Sequence, residues 1–157
     1  MEAGALFFSF KGRINRSKFW VAVLVYAIIY LVLAPIGHSA GELLAFQLLS
    51  LIVNIVLAIS GLAVGTKRLH DRNKTGWWLL LFYVVPTLLF SLIIVLTRMG
   101  PEPGGSGMVE LVLYLIGLAI VIWMFVELGG LRGTIGPNQY GPDPIAPEVL
   151  TPPVRTH

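Results

Sequence analysis

The chain contains no cysteine, which excludes a disulfide frame, thiolate metal sites and thiol nucleophiles. Charge is almost as scarce. Lys, Arg, Asp and Glu make up 12 % of the 157 residues, against roughly 25 % in an ordinary soluble domain, so the chain cannot cover itself with a water-facing surface. Disorder is excluded by the same balance, since 56 % of residues are hydrophobic and the mean hydropathy is +0.83. The net charge of +3 is too small to suggest a nucleic-acid partner, and none is expected. No serine is spaced as in a hydrolase motif and no pair of acids is spaced for magnesium, so no catalytic residue, cofactor or metal ligand is assigned. What the composition does favour is a membrane.

Crossing a bilayer takes about 20 mostly apolar residues in a helix, and four runs qualify: about 19–36, 43–64, 77–96 and 108–126. The first ends at Pro35. The second holds only Gln47, Ser50, Asn54 and Ser60 as polar residues, and the fourth has Glu110 close to its start. Pro86 interrupts the third, leaving the Phe82 carbonyl without its helical donor, to be met by Thr87 or a neighbouring helix. Helices are forced here, because lipid offers the backbone no partner and the runs lack the alternation of a membrane barrel. The expected fold is an all-α integral membrane protein: four transmembrane helices in a compact bundle, a short amphipathic N-terminal segment and an irregular Pro/Gly-rich tail. One domain covers 1–144, with 145–157 disordered. His38-Ser39-Ala40 resembles a signal-peptidase site only loosely, and the first span is read as uncleaved.

Ten of the eleven Lys and Arg residues lie before the first span, between the second and third, or in the tail; only Arg98 lies elsewhere. The positive-inside rule therefore puts both termini and the central loop in the cytoplasm of a bacterial inner membrane. His38 then falls on the other side from His70 and His157. Trp20, Trp77, Trp78 and Trp123 sit at the cytoplasmic ends of their helices, where an indole buries its ring and leaves its N–H among headgroups. Leu6, Phe7, Phe10 and Ile14, with four cations among and after them, suggest the amphipathic segment, which Gly12 weakens. The loop around 100–107 is a turn-rich linker. From Leu128 onward the chain holds six of ten prolines and cannot continue a helix.

Three stretches remain, all on the basic side: Gly12-Arg13-Ile14-Asn15-Arg16-Ser17-Lys18-Phe19-Trp20, Arg68-Leu69-His70-Asp71-Arg72-Asn73-Lys74-Thr75-Gly76-Trp77-Trp78, and Asn138-Gln139-Tyr140-Gly141-Pro142-Asp143-Pro144. In this order they resemble the domain-of-unknown-function family 805, small bacterial inner membrane proteins. The likeness runs from about Phe8 to Pro144, with Phe19 where tyrosine is usual, Asn73 where glycine is common and Thr75 where serine is common. It implies a location and no activity. Asn tolerates a left-handed backbone, so Asn73 suits a tight turn, and Thr75 stands at a good N-cap position for the third helix.

The candidate site on that face comprises Arg13, Arg16, Trp20, Arg68, His70, Asp71, Arg72, Lys74, Trp77, Trp78, Asn138, Tyr140 and Asp143. One reading is a structural clamp in which Asp71 pairs with Arg13, Arg16 or Arg68. Another is a site for anionic headgroups. A third is catalysis at the lipid interface through His70, although adjacent His and Asp side chains in a loop tend to point apart. Within the bilayer, Gln47, Ser50, Asn54, Ala58, Gly61 and Gly65 form a polar-to-small stripe on one helix face, which suits a packing or homodimer seam and, alternatively, the path of a small transporter. No ionisable residue lies near the midplane, which weighs against a proton-coupled carrier. The expected function is non-enzymatic: binding or scaffolding at the basic face, with anionic lipid, a second copy or another membrane protein as partner.

Overall fold

The structure is a computed structural model that describes residues 3–99 and 107–145. Of the linker expected at 100–107, residues 100–106 lie outside the described residues and Gly107 already begins a helix; of the disorder expected over 145–157, residues 146–157, His157 included, lie outside them. Ile145 ends a turn, its N–H donating to the Asp143 carboxylate at 3.0 Å.

The described residues are all-helical apart from turns and one isolated bridge between Asn138 and Gly141. A six-residue helix, α1 (Ala3–Phe8), precedes four helices long and apolar enough to cross a membrane. These are α2 (Arg16–Ala40), α3 (Leu44–Asp71), α4 (Val85–Met99), which continues a π-helical turn over Leu80–Val84, and α5 (Gly107–Phe125), which runs into a second π turn over Val126–Gly130. They pair as two antiparallel hairpins, α2 with α3 and α4 with α5.

Several boundaries move from their sequence positions for local reasons. Asn15 starts α2 as its N-cap, its side chain accepting the Lys18 N–H at 3.0 Å. The helix passes through Pro35 and reaches Ala40. α3 runs seven residues beyond the apolar stretch, so Arg68, His70 and Asp71 belong to its last turns and not to a loop. It stops where Asn73 takes the left-handed conformation, φ +57°, that its short amide tolerates. The Lys74 N–H then closes the turn on the Leu69 carbonyl at 2.9 Å. At the start of the third span it is the Thr75 carbonyl, not its hydroxyl, that takes the Trp78 N–H.

The π turn before Pro86 absorbs the missing donor, with the Val85 N–H bonding back to Leu80. The Thr87 hydroxyl reaches the Tyr83 carbonyl, at 2.6 Å, and not that of Phe82. Ser/Thr back-bonding reaches three or four residues back, which excludes Phe82, five back.

Apolar burial is concentrated at one end. Ile14, Phe19, Ala22, Val64, Leu69, Leu79, Phe82 and Leu128 make one cluster beside the end that carries the chain's N-terminal segment and its tail, here called the basic end. Toward the other end the helices face outward, as at Leu31, 76 % exposed. In lipid there is no hydrophobic gain in pressing leucines together, so helix contacts rest on small residues and interhelical hydrogen bonds. Tyr26 bonds Ser60 at 2.8 Å, Tyr30 donates to the Asn54 amide oxygen at 3.1 Å, and Gly117 admits the Phe90 ring.

The two glycines of the α3 stripe have different surroundings. A Cβ on Gly65 would stand 2.9 Å from Leu79, whereas one on Gly61 meets nothing within 4 Å. Gly65→Val should therefore cost roughly 1–3 kcal/mol by overpacking and Gly61→Val little, a contrast that thermal unfolding in detergent measures.

Candidate functional site

At the basic end the three sequence stretches converge on one carboxylate. Asp71, 2 % exposed at the end of α3, receives Arg13 on Oδ1, from Nε at 3.1 Å and Nη2 at 3.0 Å, and Arg68 Nη1 on Oδ2. Of its three proposed partners Asp71 thus takes two. Arg16 instead donates to the Gly130 carbonyl at 3.1 Å.

A buried carboxylate between two buried guanidiniums leaves one positive charge uncompensated, and burying charge is costly unless every group is bonded. The chain beyond α5 supplies the remaining acceptors as backbone carbonyls. Arg13 donates to Thr134 at 2.6 Å, Gly136 at 2.7 Å and Gly141 at 3.2 Å. Arg68 donates to Leu128 at 2.6 Å and to Leu131. Among the described residues no buried side-chain polar atom lacks a partner.

Glycine is needed where this strap lies close. A Cβ on Gly133 would collide with the Asp71 carboxylate, and Gly136 and Gly141 hold φ of +77° and +136°. Asp143 accepts the Ile145 and Gly136 N–H groups, which hold its carboxyl below the usual carboxylate range and fix the end of the strap.

The same side chains finish the helices. The final turn of a helix leaves carbonyls without donors. Beyond α5 these go to Arg68 at Leu128, Trp20 Nε1 at Gly129 (3.1 Å) and Arg16 at Gly130. The Trp20 N–H is therefore spent inside the protein and not on headgroups, and Gly129 is glycine because a Cβ there would lie 2.7 Å from the indole. At the end of α3 the His70 carbonyl accepts the Asn138 amide at 2.9 Å and the Asp71 carbonyl accepts the Thr134 N–H at 2.8 Å. Cations at both helix C-termini also oppose the helix dipoles.

A second ion cluster lies beside the first. Glu127 Oε1 meets Lys74 Nζ at 2.8 Å and Arg72 Nε at 3.1 Å, and Arg72 reaches the Arg132 carbonyl at 2.6 Å. Lys74 also lies 4.9 Å over the Trp78 ring, which packs edge-on against Trp123. Trp77 differs, being 76 % exposed.

His70 stacks flat on Tyr140, ring centres 3.8 Å apart and planes within 4°. Its Nδ1 faces the Gly12 carbonyl at 3.3 Å; an oxygen there can only accept, so that nitrogen carries the proton.

Two contributors escaped the sequence. Lys67, fully buried, donates to the Ala5 and Leu6 carbonyls and so ends α1 at Phe8, short of the longer segment expected. Glu127 directly follows the apolar run 108–126, and a lone acid at the end of such a run is itself a signal. The stripe residues lie elsewhere: Gln47, Ser50 and Asn54 bond within the α2–α3 hairpin, while Asn54, Ala58 and Gly61 line a cavity.

Comparison with known proteins gives the family. A model described as "Protein of unknown function (DUF805)" matches residues 7–142, which include all three converging stretches up to Pro142. The chain belongs to the DUF805 family. It is 33 % identical over 136 residues to the "Uncharacterized protein YiiR" of Escherichia coli K12, covering 87 % of this chain and 86 % of the relative. It is also 33 % identical to two Escherichia coli K12 proteins named inner membrane proteins. These are YhaH, over 60 % of this chain and 79 % of the relative, and YhaI, over 48 % and 62 %. No solved structure matches significantly. This DUF805 chain is thus a four-helix integral membrane protein whose family has no stated activity.

Removing one member of the Asp71 cluster should strand the others. Asp71→Asn leaves two buried guanidiniums facing an amide and should cost roughly 3–5 kcal/mol, read as a large fall in the thermal midpoint in detergent, whereas Asp143→Asn costs much less.

Proposed function

We propose that this DUF805 protein is a non-enzymatic lipid-binding protein whose basic end lies at the cytoplasmic face of the inner membrane and holds anionic phospholipid there. The observation that carries the reading is the charge left over by the clamp. Asp71 and Glu127 engage Arg13, Arg68, Arg72 and Lys74. Lys11, Arg16, Lys18 and Arg132 have no carboxylate partner among the described residues. Beside them stand exposed aromatic rings, Phe8, Phe10, Trp20 and Trp77. Cations and half-buried aromatics in one belt suit the boundary where anionic headgroups meet acyl chains. The packing of His70 against Tyr140 supports a positioning role for that ring, and the division of cations along the chain supports the cytoplasmic orientation.

The clamp dictates which cations to alter. Reversing Arg13 or Arg68 would unfold the site, and Arg16 holds the Gly130 carbonyl, so the informative variant carries Glu at positions 11, 18 and 132. Each cation near an anionic surface is worth about 1 kcal/mol, so the triple variant should retain phosphatidylglycerol at least on the order of 100-fold less well. Native mass spectrometry reads the ratio, with phosphatidylcholine as control, and unchanged retention by a folded variant refutes the reading. A reporter fused to the C-terminus should be active in the cytoplasm; activity confined to the periplasm reverses the orientation.

A further inference from the structure

A cavity of about 690 Å³ opens between α2, α3 and the π turn that begins the third span, within the membrane-crossing part of the chain. Its walls include Tyr26, Leu57, Ala58, Gly61, Leu79 and Tyr83. A second hollow, of about 290 Å³, is bounded by Phe10, Thr66, Gly76 and Trp77 at the basic end. Leu62, Leu79 and Leu80 line both, so the two hollows adjoin, and we take them together as one groove from the membrane boundary inward.

From Thr66 to Asn54 the groove follows twelve residues of α3, about 18 Å of helix, close to the depth of one leaflet of a hydrocarbon core about 30 Å thick. Two of its polar groups are occupied within the protein, the Tyr26 hydroxyl by Ser60 and that of Tyr30 by the Asn54 oxygen, while the Tyr83 side chain also lines it. Most of what faces the groove there is ring carbon and aliphatic surface. No side chain fills the floor, since a Cβ at Gly61 meets open space. The π turn widens the third span where its residues form the far wall. Phe10 and the exposed Trp77 line the mouth, and the exposed Lys11 follows Phe10 in the chain.

We infer that the groove is a lipid site that takes one acyl chain of a phospholipid, with the headgroup held at the mouth beside Lys11 and Trp77. This rests on the lipid-binding reading above and gives it a place. A preference for an anionic headgroup belongs to that earlier reading; occupation by a chain belongs to this one.

The test reconstitutes the full chain in vesicles that carry a photoactivatable diazirine on the acyl chain of either phosphatidylglycerol or phosphatidylcholine, and maps the labelled residues by mass spectrometry. Labelling at Leu57 and Tyr83 should exceed that at the outward-facing Leu24 and Leu31 by about tenfold, the factor expected of a modest site preference. Gly61→Phe and Ala58→Phe, which fill the groove from two positions, should each remove that excess, with folding checked by thermal unfolding. Even labelling around the lipid-facing surface in the unaltered protein, or an excess that persists in both folded variants, overturns the groove. An excess of equal size with both headgroups keeps the groove and refutes the anionic preference proposed above.

Discussion

The basic end is organised around the charge imbalance at Asp71. One carboxylate stands between two guanidiniums, all three buried, and the excess positive charge is met by backbone carbonyls that a segment with no regular structure supplies. Carbonyl dipoles serve well here because they carry no charge of their own to desolvate and come in series along a strap. The composition of the segment after α5 follows from this duty. Glycines let the backbone approach the carboxylate and point successive carbonyls inward, and the prolines between them prevent a helix that would spend those carbonyls on itself.

A bundle in lipid has to obtain its stability from somewhere other than the hydrophobic effect, and here the ends of the helices provide it. α3 and α5 finish side by side at the basic end, and their last carbonyls are taken by Arg16, Arg68, Trp20, Asn138 and the Thr134 backbone. The two hairpins are joined there, by polar contacts between residues far apart in sequence. Farther into the bilayer the hairpins separate, which leaves the space beside Gly61. Close fastening at one end and open helices beyond it are two results of the same distribution of polar groups.

How much of this is legible in the sequence depends on whether a contact uses side chains. The four apolar runs announce the helices, Asn73 announces its left-handed turn, and opposite sign offers Asp71 three arginines, of which the fold takes Arg13 and Arg68 and leaves Arg16. The carbonyls of Leu128, Leu131, Thr134 and Gly136 leave no mark, because every residue has one. Lys67 looks like another interfacial cation until α1 is seen to end on it. The run from Arg68 to Asp71 is polar enough to pass for a loop, yet it is helical because tertiary contacts satisfy both its charges and its final carbonyls. Gly61-x-x-x-Gly65 spells close approach at both positions, and only Leu79, which touches one of them, tells them apart.

The distinction between bound and unbound cations also shapes what the family's motifs can mean. A conspicuous cluster such as Arg68-Leu69-His70-Asp71-Arg72 invites a catalytic or ligand-binding role, but its ionised groups are committed to carboxylates and carbonyls of the same chain. Any partner that approaches this face meets the less conspicuous residues: Lys11, Lys18, Arg132 and the outward rings of Phe10 and Trp77. Such residues need only supply charge and apolar surface at the right depth, a requirement that many sequences satisfy. Most charged groups of the family's motifs are then spent in folding the face, while Lys18 and Trp77 within them, and Phe10, Lys11 and Arg132 outside them, are left without a carboxylate or carbonyl of the described residues to hold.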